Sequence, residues 1–281
     1  MESQFTRTEL LLGQEAMKRL RASRVVVFGV GGVGGYVVEV LARSGVGTIA
    51  MVDPDRVNLS NLNRQIVALH STVGRLKVDV MAERIRDINP DCEVRKIPLF
   101  YLPENADEID LSQYDYVVDC VDTVKAKLEI IRRCHRLQIP VISSMGAANK
   151  LDPTAFRVSD ISKTSMDPLA KVLRKTLRKE EIRHFKVVYS EEKAPSQPPP
   201  TGGGVLQNGL ESKGQNEPPS TGRETVTTES KNSQNNCIEE PPPIGGGRRG
   251  PCKQPLPSCA FVPAACGLVV GGEVVKNLAG L

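Results

Sequence analysis

The residue types between Gly29 and Asp122 are those of phosphate chemistry. Gly29-x-Gly31-Gly32-x-Gly34 opens the span, and Asp53, the run Asn61-Leu62-Asn63-Arg64-Gln65, Lys77 and Asp122 follow in order. Glycines let phosphate oxygens reach backbone N–H groups with no Cβ in the way. An acid about twenty residues beyond such a loop lies where a ribose hydroxyl would sit, which is where Asp53 falls. Arginine offers a fixed fork to phosphate oxygens and lysine a compact mobile charge, the parts supplied by Arg64 and Lys77. A carboxylate at the end of a further strand suits Mg²⁺, which takes few protein ligands beside water and phosphate oxygens; Asp122 ends such a run. Together these groups describe a pocket that could hold Mg·ATP and promote attack on its α-phosphate. For the loop alone the plain alternative is a glycine turn without a ligand, and for each charge alone a solvated surface position.

The elements needed to hold these residues are legible around them. Arg24-Val25-Val26-Val27-Phe28 is a β-branched and aromatic run, the pattern of a buried parallel strand, and it enters the glycines directly. From Tyr36 to Arg43 apolar residues recur at helical spacing, and Thr48–Val52 reads as a second strand that delivers Asp53. Strand, glycine turn and helix in that order is the context that a nucleotide-binding loop requires. Tyr116–Asp122 reads as a further parallel strand whose terminal carboxylate reaches the binding edge of the sheet. The expected fold is therefore α/β: a Rossmann-like, mostly parallel sheet with helices on both faces.

These residues, in their order and spacing, resemble the ATP site of the ubiquitin-activating-enzyme-like superfamily, which includes the sulfur-carrier adenylyltransferases. A narrower resemblance, to the tRNA threonylcarbamoyladenosine dehydratases, rests on Val158-Ser159-Asp160-Ile161-Ser162-Lys163-Thr164, on Asp167-Pro168-Leu169-Ala170 followed by a basic helix, and on Met81–Pro90. The resemblance implies that Gly29, Gly31, Gly32 and Gly34 approach the phosphates and that Asp53 binds the ribose. Asn61, Arg64 and Lys77 would hold the triphosphate, and Asp122 the Mg²⁺. It also implies a homodimer in which an N-terminal arginine, here Arg7, reaches the partner's site. A sulfur-relay partner protein is compatible with it. The implied reaction is ATP-dependent cyclisation of threonylcarbamoyladenosine at position 37 of tRNA, through an acyl-adenylate. The nearest alternative is adenylation of the C-terminal Gly-Gly of a sulfur-carrier protein. Others are an NAD(P)-dependent oxidoreductase, which would have no use for Arg64 and Lys77, and a non-catalytic partner, which would not need the full set.

Composition sets the organisation. Residues 1–193 carry nearly all the periodic segments and make an ATP-binding domain. Residues 194–258 hold twelve of the 20 prolines and ten of the 24 glycines, too few apolar groups to offset the entropy of ordering, and are expected to be a disordered insertion. Residues 259–281 return to an apolar helical pattern that closes the domain, interrupted by Glu273 and Lys276 and so expected to be too short and too charged for a membrane span. No secretory signal is visible, the opening helix around Gln14–Leu20 leaves little room for a transit peptide, and a cytoplasmic location is expected. The resemblance also admits mitochondrial association.

The seven cysteines include no C-x-x-C pair, so the zinc site of many sulfur-carrier adenylyltransferases has no visible ligands, and Cys120 and Cys134 read as core residues. His70, His135 and His184 show no ligand spacing. Net charge is only +4, yet Lys171, Arg174, Lys175 and Arg178 share one helical face. Such a stripe is either a solvated face or a phosphate-binding surface for RNA.

Overall fold

The apolar runs of the sequence become the strands of one sheet in the computed structural model, which describes residues 3–193 and 256–281. In chain order the elements are α1 (Thr6–Leu12), α2 (Gln14–Ala22), β1 (Arg24–Phe28), α3 (Gly34–Arg43), β2 (Thr48–Val52), α4 (Lys77–Ile88) and β3 (Glu93–Ile97). They continue with β4 (Tyr116–Asp119), α5 (Val124–Leu137), β5 (Val141–Ser144), β6 (Phe156–Asp160), α6 (Pro168–Arg178), β7 (Lys186–Ser190) and α7 (Phe261–Ala279). The sheet order is β3-β2-β1-β4-β5-β7-β6, parallel throughout except for β6, which runs antiparallel to β7 at the edge.

The alternation of β1 explains the layering. Val25 and Val27 point into one core with Leu20, Leu41, Ile85 and Val270, from α2, α3, α4 and α7. Val26 and Phe28 point to the other face, where Ala126 and Ile130 of α5 cover them. Farther along that face α6 supplies Leu173 and Leu177 against Ile131 and Val187. The two faces of a sheet whose crossovers are helices must both be covered, and here they are.

The expected elements around the glycine loop form at the expected places. The last expected strand ends early, at Asp119 rather than Asp122. The Cys120 N–H still completes the ladder to the Phe28 carbonyl at 2.8 Å, and the chain then bends as the Asp119 carboxylate accepts from the Val121 N–H at 3.2 Å. The expected insertion lies outside the described residues save for Leu256–Ser258, which are seated: the Asn149 N–H donates to the Pro257 carbonyl and the Asn63 amide to the Ser258 carbonyl.

Helix α7 corrects a second expectation. Its 19 residues are long and apolar enough to cross a membrane by length and composition, despite Glu273 and Lys276. Here that apolarity is spent on packing. Gly271 lies so close to α3 that an added Cβ would stand 2.8 Å from Val40 Cβ, and at Gly267 one would collide with the Val33 carbonyl. The charged residues fasten the far end of the helix. Glu273 accepts from Lys186 of β7 at 2.8 Å, and Lys186 also donates to Asn277 at 2.7 Å.

Candidate active site

The strand order reverses between β1 and β4, because the chain leaves β1 towards β2 and leaves β4 towards β5. Ligands of open α/β sheets bind outside the carboxyl ends of the strands at such a switch point. The Gly29–Val33 loop and the 120–123 turn meet there. Gly29 has φ +86°, and a Cβ on it would stand 2.7 Å from the Cys120 carbonyl oxygen; at Gly34 it would collide with the Gly29 carbonyl. Those two glycines let the loop close. Gly31 is different: an added Cβ would meet nothing nearer than the Gln65 amide nitrogen at 3.9 Å. The N–H groups of Gly31, Gly32 and Val33 have no acceptor among the described residues and precede the first turn of α3. Unclaimed donors at a helix start with open space before them suit a phosphate.

Asp53 anchors this loop. Its carboxylate accepts from the Val30 N–H at 2.7 Å and the Asp55 N–H at 2.9 Å, and it is buried. Burial pushes its carboxyl above the ordinary range, against the opposing pull of the Lys77 ammonium and the two N–H groups. A carboxylate offers about four lone-pair positions, so a ribose hydroxyl would share Asp53 with the loop rather than have it alone. Lys77 is buried rather than a solvated surface charge. It is only 5 % exposed, and its Nζ lies 2.7 Å from Asp55 and 3.9 Å from Asp53. Asp55, which the sequence reading passed over, therefore holds the lysine.

The Asn61–Gln65 run follows a 3-10 turn over Leu59–Asn61. The Asn61 side chain accepts from the Asn58 N–H at 3.0 Å and so shapes the turn, with its amide N–H₂ left over. Arg64 is half-buried, with its guanidinium on the Ser60 carbonyl (2.9 Å) and Asn63 (2.8 Å) and its stem 3.5 Å from where a Gly32 Cβ would be. Gln65 is buried, its amide oxygen has no partner, and its amide nitrogen faces Gly31. A buried amide oxygen without a partner suits a donor such as a nucleotide's hydroxyl or amino group, while phosphate oxygens, which accept, have the loop N–H groups.

The carboxylate that ends β4 is Asp119, fully buried and paired with Lys127 at 3.1 Å; Asp122 lies three residues beyond in the turn, exposed and without a hydrogen bond among the described residues. An exposed, uncommitted carboxylate beside the phosphate cradle fits a Mg²⁺ that keeps most of its ligands from water and phosphate.

On the far half of the sheet, Lys171, Arg174, Lys175, Arg178, Lys179 and Arg183 surround a concavity of about 680 Å³ floored by Ile161 and Ile182. Lys171, Lys175, Arg178 and Lys179 have no carboxylate within 4.0 Å among the described residues. Arg174 differs from the other members of the stripe. It is half-buried and donates to the Thr164 carbonyl at 2.9 Å and to the Thr164 hydroxyl, so its first task is to hold the loop before α6. That loop leads into Asp167, whose carboxylate caps α6 from the same sheet edge as the glycine loop, 3.9 Å from where a Gly146 Cβ would be.

Residues 5–281 match the ThiF family. The chain belongs to it. Over 279 residues it is 43% identical to tRNA threonylcarbamoyladenosine dehydratase of Bacillus subtilis, covering 99% of this chain and 95% of that one. Among solved structures, Escherichia coli tRNA N6-threonylcarbamoyladenosine dehydratase in complex with AMP superposes with a TM-score of 0.74 at 29% identity, over 99% of this chain and 94% of that one. The same enzyme in complex with ATP gives 0.72 at 29% identity and the same coverage. The family resemblance read from the glycine loop, the Asn61–Gln65 run and the Val158–Thr164 segment therefore holds.

Within this ThiF-family chain four of the described thiols are poor nucleophiles. Burial pushes Cys92 to about 11 and Cys120 and Cys134 to about 12, and it raises Cys266 as well. Among the described residues no group of three or more His, Cys, Asp or Glu could hold a metal ion. Arg7 is not brought to the other site residues. Phe5, two positions before it, packs on Gly45 beyond the end of α3. A ten-residue helix such as α3 puts that end about 15 Å from its start.

Proposed function

We propose that this protein is an ATP-dependent dehydratase that cyclises N6-threonylcarbamoyladenosine at position 37 of tRNA. The observation that carries the reading is the 43% identity to a dehydratase of that name along 99% of the chain, which takes in both the nucleotide cradle and the basic helix. The threonyl carboxylate is a poor electrophile because its oxygen leaves badly. Attack of that carboxylate on the α-phosphorus of ATP gives an acyl-adenylate and pyrophosphate. The neighbouring carbamoyl nitrogen then attacks the activated carbonyl carbon, loses its proton, and expels AMP. The sum is the loss of one water. The second step is intramolecular, so proximity supplies much of the rate and no protein thiol is needed, in keeping with the raised thiols.

In this reading the Gly31–Val33 N–H groups, Arg64, Lys77 and the spare amide of Asn61 bind the phosphates and stabilise the charge that develops on them. Asp53 binds the ribose while holding the loop, and Asp122 holds Mg²⁺. When bound, the cation would neutralise phosphate charge and orient the pyrophosphate as a leaving group. The tRNA lies along the basic concavity, with Lys171, Lys175 and Arg178 of α6 on its phosphates and Arg174 holding the loop that leads into that helix. The protein acts as a homodimer, since Arg7 stands far from its own cradle and the exposed Leu10 and Leu11 of α1 offer an apolar contact beside it. A sulfur-relay protein is a compatible further partner, and the cytoplasm the expected compartment.

Mass spectrometry of nucleosides from threonylcarbamoyladenosine-bearing tRNA, incubated with the purified protein and Mg·ATP, tests this. The expected product is lighter by one water and forms only with ATP. No conversion, with ATP–pyrophosphate exchange appearing on addition of a Gly-Gly-ended carrier protein, would instead assign the protein to carrier adenylation.

A further inference from the structure

The most completely buried charges near the site are Asp119 and Lys127, 0% and 1% exposed at the side chain. Burying an ion pair costs several kcal/mol per ion, and an apolar pair of the same volume would often do as well for stability. Their partners indicate what they are for. Lys127 Nζ donates to Asp119 Oδ2 at 3.1 Å, to the Ser144 carbonyl at 2.8 Å and to Ser143 Oγ at 3.4 Å. Ser143 Oγ donates to Asp119 Oδ2 at 2.5 Å. The other carboxylate oxygen, Oδ1, accepts from the Val121 N–H at 3.2 Å. The cluster thus joins the end of β4, the end of β5 and the first turn of α5. Those elements flank the 120–123 turn on both sides, and the Val121 bond fixes the turn from within.

We infer that Asp119, Lys127 and Ser143 are positioning residues for a divalent cation, holding the 120–123 turn so that the Asp122 carboxylate faces the nucleotide cradle. The inference rests on the reading of Asp122 as the cation ligand. The ammonium neutralises the one carboxylate that would otherwise lie buried beside that ligand, and its three donors fix the distance between β4 and β5. The Asp122 side chain is left with no bond among the described residues to turn it elsewhere.

ATP binding measured by calorimetry against stepped Mg²⁺, with EDTA as the zero point, tests this on the full chain. Lys127→Met and Ser143→Ala should each raise the Mg²⁺ concentration that half-restores tight ATP binding, by about tenfold. Affinity in EDTA should stay unchanged, and Lys127→Arg should recover part of the loss. A merely structural pair would shift the melting temperature and leave that midpoint alone. Asp122→Asn is the reference. If it moves the midpoint while Lys127→Met and Ser143→Ala do not, the positioning role is overturned and Asp122 stands. If Asp122→Asn also leaves the midpoint unmoved, the cation reading itself falls. Ser143→Ala deletes only a hydroxyl and decides the matter should Lys127→Met fail to fold.

Discussion

At the scale of single residues, the groups around the cradle divide into those free to act and those already held. Arg64→Ala and Asp122→Ala should each cost at least about a hundredfold in turnover. Asp122, without a hydrogen bond among the described residues, should leave thermal stability little changed, whereas Arg64 also ties Ser60 and Asn63 and should lower it modestly. Nucleoside mass spectrometry read beside a melting curve would check both. Lys77→Ala should cost activity and stability together, because Asp53 would be left buried without its counter-charge. The sequence reveals groups that stand in a recognisable order and hides those that only the fold brings together. Arg64 and Asp122 stand in a recognisable order, whereas Asp119 and Lys127 read as two ordinary charges eight positions apart, and only the turn between β4 and α5 brings them together. Asp55 went unread for the same reason. A pairing across a fold leaves no periodic mark on the chain.

At the scale of elements, α7 governs both stability and site shape. Gly267→Ala would push against the Val33 carbonyl at the end of the glycine loop, costing about 1–3 kcal/mol and weakening ATP binding. Gly272, with nothing near it, is the control: Gly272→Ala should stabilise the helix by about 0.5–1 kcal/mol. Urea titrations with and without nucleotide separate the two effects. The same helix sets an acid limit. Burial alone would raise Glu273, but hydrogen bonds from Lys186, Lys276 and Asn277 outweigh it and hold the carboxyl down to about 2, against an ordinary 4.5. A depressed acid stabilises the fold fully above its unfolded value and progressively less below it. Stability should therefore fall between pH 4.5 and about 2, and Glu273→Gln should flatten that fall while lowering stability at neutral pH by about 1–3 kcal/mol. Melts across that range would show it. The strands β1 and β2 and the helix α3 were legible because strong periodicity met glycine punctuation. The strands β5, β6 and β7, four or five residues each, lacked both.

At the scale of the whole molecule, α6 starts near the sheet edge that carries the glycine loop and runs away from it, so the basic concavity beside Ile161 and Ile182 lies towards the opposite edge. Lys175→Ala and Arg178→Ala should weaken tRNA binding evenly across sequences and lower its salt slope by about one each. Arg174→Ala should instead unfasten the loop before α6 and lower stability. Filter binding at several salt concentrations, with melts alongside, separates the cases. For the dimer, mixing inactive Arg7→Ala subunits with inactive Asp122→Asn subunits should restore part of the activity, as each hybrid keeps one intact site; no recovery would count against an arginine supplied from the partner.

One contact has a bearing on biosynthesis. Pro263 closes against Gly32 at the mouth of the cradle, and the two are 231 positions apart in the chain. The glycine loop is made well before its wall and its α3 packing, which come from a helix far later in the chain. A nascent or truncated chain lacking α7 has the whole phosphate motif and an unfinished site. Nucleotide binding therefore reports that α7 has been made and has docked on α3.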